Sequence, residues 1–97
     1  MQAGRMYRNK IKARVELWDR YTSFEEFVDT LARKVAVLEY GDVFMLLGMK
    51  KGEVTESMYL KVMIGDHMGW FGCDETTVGN PELWQEYFEE LDPKDYE

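Results

Sequence analysis

This 97-residue chain has a single cysteine, a single histidine and two prolines. One cysteine excludes an internal disulfide and the paired ligand spacing of zinc motifs. No stretch approaches the ~20 apolar residues of a membrane-spanning helix. The opening MQAGRMYRNKIK has basic residues without the apolar run of an export signal. These absences predict a cytoplasmic protein with no membrane partner.

What is present suits one folded domain over residues 1–97, with 1–5 and 93–97 as loose ends. Apolar residues make up 45% and aromatics 14% of the chain, enough to build a core and to argue against wholesale disorder. The net charge of −7 is unevenly spread. Residues 1–20 hold Arg5, Arg8, Lys10, Lys12, Arg14 and Arg20 against Glu16 and Asp19. Residues 74–97 hold nine acids against Lys94.

The periodicities predict an α+β fold. Tyr7, Ile11, Ala13, Val15 and Leu17 alternate with Arg8, Lys10, Lys12, Arg14 and Glu16, the pattern of a half-buried strand over Tyr7–Trp18 that Asn9 and Trp18 interrupt. A helix competes there, because Tyr7, Ile11, Val15 and Trp18 share one helical face. Ser23 and Glu26 form a capping box ahead of Phe24, Phe27, Val28, Leu31, Val35 and Leu38, predicting a helix that Gly41 ends. Val43–Met49 reads as a strand covered on both faces. Lys50-Lys51-Gly52-Glu53 supplies a turn into a returning strand with Met58, Leu60, Val62 and Ile64 on one side. Met68–Cys73 could add a fourth short strand. Asn80-Pro81 opens a last helix with the apolar stripe Leu83, Trp84, Tyr87, Phe88 and Leu91, and Pro93 closes it. The expectation is a mostly antiparallel sheet of three to four strands packed by two helices, in the order β-α-β-β-(β)-α.

Four places offer chemistry. In GDHMGWFGCDE, His67 and Cys73 are the chain's one base and one thiol, and a tight hairpin there could bring them together. No third group orients the imidazole, so no catalytic residue is assigned and the protein is read as a non-enzyme. Asp66, His67, Cys73 and Asp74 lack the regular spacing of a metal site, and no metal or other cofactor is expected. In the same stretch Trp70 and Phe71, flanked by glycines, are candidate interface anchors, with burial beside Trp84 and Phe88 as the favoured alternative. The basic row Arg8, Lys10, Lys12 and Arg14 could face nucleic acid, with Tyr7 stacking a base, but the net charge opposes phosphate.

The terminal helix carries the strongest anomaly. On it Glu82, Glu86 and Glu90 follow one another at i,i+4 with Glu89 and Asp92 beside them and no intervening cation. Such like-charge pairs are unfavourable unless a cationic partner meets them. The sequence therefore points to a small acidic interaction protein, an inhibitor or modulator of the phosphate-mimicking kind that phages and mobile elements produce. Its acidic surface would bind a basic, nucleic-acid-binding surface of a protein partner, with Trp70 and Phe71 as apolar anchors. The alternatives are a homodimer, a nucleic-acid module using the basic strand, and a small-ligand domain around His67 and Cys73.

Overall fold

The computed structural model describes residues 1–19, 33–52, 57–92 and 94. Seven strands form one antiparallel half-barrel: β1 (Met6–Asn9), β2 (Val15–Trp18), β3 (Lys34–Leu38), β4 (Val43–Lys51), β5 (Ser57–Ile64), β6 (His67–Asp74) and β7 (Phe88–Glu90). Two short helices, α1 (Glu75–Gly79) and α2 (Pro81–Trp84), lie between β6 and β7. The strand order is β3-β2-β6-β5-β4-β1-β7. Among the described residues, strand makes up 54% and helix 13%. This overturns the sheet of three to four strands packed by two helices.

Each departure has a local cause. The strand expected over Tyr7–Trp18 is two strands at separate places in the sheet. Asn9 divides them: it is fully buried, its Oδ1 accepts the Ile11 N–H at 3.1 Å and its Nδ2 donates to the Glu39 carbonyl at 3.1 Å. A side chain that bonds the backbone two residues on makes a turn, which ends β1. Lys34–Leu38, expected at the end of a helix, is a strand along β2. Its β-branched Val35 and Val37 fit a pleated, half-buried surface, and tertiary pairing decides between the two readings. The capping box at Ser23 lies outside the described residues. Gly41 sits in the turn between β3 and β4 rather than at a helix end.

The last helix is also shorter than expected. Asn80 does cap it, its Oδ1 accepting the Glu82 N–H at 3.0 Å with Pro81 in the first turn, but the helix stops at Trp84. A turn over residues 85–87 then leads into β7, where Glu89 pairs with Arg8 of β1. Cross-strand attraction replaces the repulsion that a continuous helix would have set up.

The hairpin of β4 and β5 forms, but Lys50 and Lys51, expected in its turn, lie in β4 opposite Tyr59 and Met58, and β6 continues it as a full-length strand. Gly65 takes φ 59° as the first residue of the two-residue β5–β6 turn, the left-handed position such hairpins reserve for glycine. β4 is buried on alternate residues, Phe44 and Leu46, and not on both faces.

The core fills the concave side. Tyr7, Phe44, Phe71, Trp84 and Phe88 form a continuous aromatic cluster, with ring centroids 5.6 Å apart for Phe44–Phe88 and 5.7 Å for an edge-on Tyr7–Trp84. Leu17, Leu38, Leu46, Leu60 and Val62 complete it. Residues 1–5, expected loose, are tied down. The Gly4 N–H donates to the Leu46 carbonyl at 2.7 Å, and the Gln2 N–H to the Tyr7 hydroxyl at 2.8 Å.

Candidate functional site

β6 separates His67 from Cys73. The two are at opposite ends of one continuous strand, about 20 Å apart at the usual rise per residue. The folded-back hairpin that could have joined them does not exist. His67 is exposed beside Asp66, with Nε2 3.4 Å from Oδ1. Cys73 is half-buried, and burial pushes its thiol above the ordinary thiol range, with the Asp74 charge adding to the effect and the Asp74 backbone opposing it. A raised thiol holds less thiolate at neutral pH, the reverse of what a nucleophile needs. Asp74 is engaged as the cap of α1, its Oδ1 accepting the Thr76 N–H at 2.7 Å. Among the described residues no three His, Cys, Asp or Glu side chains come together to hold a metal ion.

Cys73 faces a shallow groove of about 260 Å³ lined by Ile11, Val15, Phe71, Thr77 and Tyr87 among others. The groove follows from the strand pairing. β6 pairs with β5 along its whole length but, among the described residues, with β2 only at Trp18↔Trp70, and no described strand pairs with its last four residues on that side. Its walls are mostly apolar, and Asp74 is the one ionisable group at its rim besides Cys73 and Tyr87.

Trp70 and Phe71 point to opposite faces of β6. Phe71 is in the aromatic core, 6% exposed, and packs on Phe44 and Phe88, which leaves it unable to anchor a partner. Trp70 lies on the outward face opposite Trp18, with the Lys61 ammonium 5.8 Å from its ring centroid. The same outward face carries a cross-strand row of Met6, Met45, Met63 and Met68, joined by the registers of β1, β4, β5 and β6. Sequence reasoning missed this row because its members are far apart in the chain. Only the strand order reveals it.

The basic row is dispersed and partly neutralised by the chain itself. Arg8 Nη1 lies 3.2 Å from Glu89 Oε2, the Lys10 ammonium donates to the Gln85 carbonyl at 2.9 Å, and Arg14 Nε lies 3.9 Å from Glu39 Oε1. Lys12 is exposed in the segment between β1 and β2. Tyr7 is fully buried, so its ring cannot stack a base. Burial raises its hydroxyl pKa above the ordinary tyrosine value, opposed by its contact with the Gln2 backbone and reinforced by Glu90, whose Oε1 lies 3.4 Å away.

The acids follow one another in the chain through α2, the turn and β7, where neighbours point to opposite faces, Glu89 lying opposite Arg8 and Glu90 opposite Tyr7. Glu82, Glu86, Glu89, Glu90 and Asp92 are all exposed. Glu89 meets Arg8, and Asp92 Oδ1 accepts the Lys94 N–H at 3.0 Å. Among the described residues no cation lies within ion-pair distance of Glu82, Glu86 or Glu90. Two large apolar side chains that alternate with these acids in the chain, Leu83 and Tyr87, are 36% and 43% exposed. The apolar stripe read for a longer helix contained both residues but placed them inside. The helix ends too early to bury them, while Trp84 and Phe88 are drawn into the core. The Trp84 indole nitrogen is buried there without a hydrogen-bond partner among the described residues, a local cost of this packing. No family model, curated protein or solved structure matches the chain.

Proposed function

We propose that this chain is a non-enzymatic interaction protein whose C-terminal segment binds a basic surface on a protein partner, one that otherwise holds nucleic acid, and so acts as its inhibitor or modulator. The observation that carries the reading is the exposure of these side chains. Glu82, Glu86 and Glu90 are exposed with no described cation within ion-pair distance, and Leu83 and Tyr87, which alternate with them in the chain, are exposed as well. Exposed carboxylates and apolar side chains in one segment suit a surface that steers a cationic partner and then excludes water from the contact. Carboxylates spaced along α2, the turn and β7 would occupy positions that the partner offers to phosphates, and long-range attraction would speed encounter. Leu83 and Tyr87 take the anchoring role that the sequence suggested for Trp70 and Phe71. The internal engagement of Arg8, Lys10 and Arg14 weighs against a nucleic-acid module built on those residues.

The test compares the tagged chain with a Glu82→Gln/Glu86→Gln/Glu90→Gln variant whose melting curve matches it. The wild type is expected to capture a basic protein from lysate at low salt, to release it as salt rises, and to displace duplex DNA from it. The variant is expected to lose most of that capture. Capture that ignores both the substitutions and the salt removes this reading.

A further inference from the structure

We draw no further inference here: the strongest candidate, the cross-strand row of Met6, Met45, Met63 and Met68 on the outward face of the sheet, is an unpartnered apolar face, and nothing in the structure shows what covers it.

Discussion

β6 has two flanks, and they are held in different ways. Towards β5 it pairs without interruption from Ser57↔Asp74 to Ile64↔His67. Towards β2, among the described residues, it pairs at Trp18↔Trp70 alone. Backbone hydrogen bonds dominate the first seam and depend little on which side chains stand there. The second relies on close approach. A Cβ added at Gly69 would lie 2.7 Å from Leu17 Cβ and 2.9 Å from Val35 Cγ2. Leu17 Cβ is fixed to its backbone and cannot swing away, so only glycine admits β2 and β3 this near. A sheet can thus be continuous in its strand order and still have one joint that depends on packing.

Substitutions at the two flanks should separate these mechanisms. The largest effect is expected from Leu17→Ala, which removes a fully buried side chain from the packed seam. It should cost about 2–5 kcal/mol, read from the denaturant midpoint. A loss well under that range would show that β2 contributes little to the fold. Gly69→Ala should follow at about 1–3 kcal/mol by overpacking the same joint. It should also hasten alkylation of Cys73, because the groove that holds this thiol opens where β2 leaves β6. In the wild type that alkylation should be slow at neutral pH and rise only as pH climbs past the ordinary thiol range, since burial favours the protonated thiol. Wild-type alkylation as fast as a free thiol's at neutral pH would contradict the enclosure of Cys73.

A moderate effect is expected at Tyr7, in the paired half of the sheet. Its folded pKa is raised, so the neutral phenol stabilises the fold fully below the unfolded value near 10, and that contribution is lost as pH rises through the folded pKa. Tyr7→Phe should therefore flatten the alkaline fall of the melting temperature relative to wild type. Parallel alkaline curves would place the loss elsewhere. The smallest effect is expected from Gly72→Ala, within about 0.5 kcal/mol. Its added methyl would meet the Tyr59 ring at 3.5 Å, an ordinary contact. If Gly72→Ala proved as costly as Gly69→Ala, the contrast between the seams would fail.

The sequence revealed β5 best, because Met58, Leu60, Val62 and Ile64 alternate over a whole strand, whereas Lys50 and Lys51, read as turn residues, extend β4. Asn80 and Pro81 marked a helix start correctly, since capping chemistry is local. The rest depended on partners distant in the chain. Val35 and Leu38 fit a helical stripe as well as a strand, and only β2 beside them decides the matter. Phe88 and Leu91 also fit a helical stripe, yet Glu89 finds Arg8 from the far end of the chain. At the candidate site the acids could be read directly, but their arrangement could not. The row spaced for a helix face is divided among a helix, a turn and a strand, and the exposure of Leu83 and Tyr87 follows from where α2 stops.

The register Arg8↔Glu89 joins residues from nearly opposite ends of the chain, and Trp18↔Trp70 spans more than half of it. Contacts of such separation form only after large loops have closed, which slows the search for the native state and places this chain with the millisecond-to-second folders. Until β7 arrives, Phe44 lacks Phe88 and Tyr7 lacks Trp84. The hairpins β4–β5 and β5–β6 are the local contacts able to form early, and for that interval they expose the apolar face on which the final strand closes.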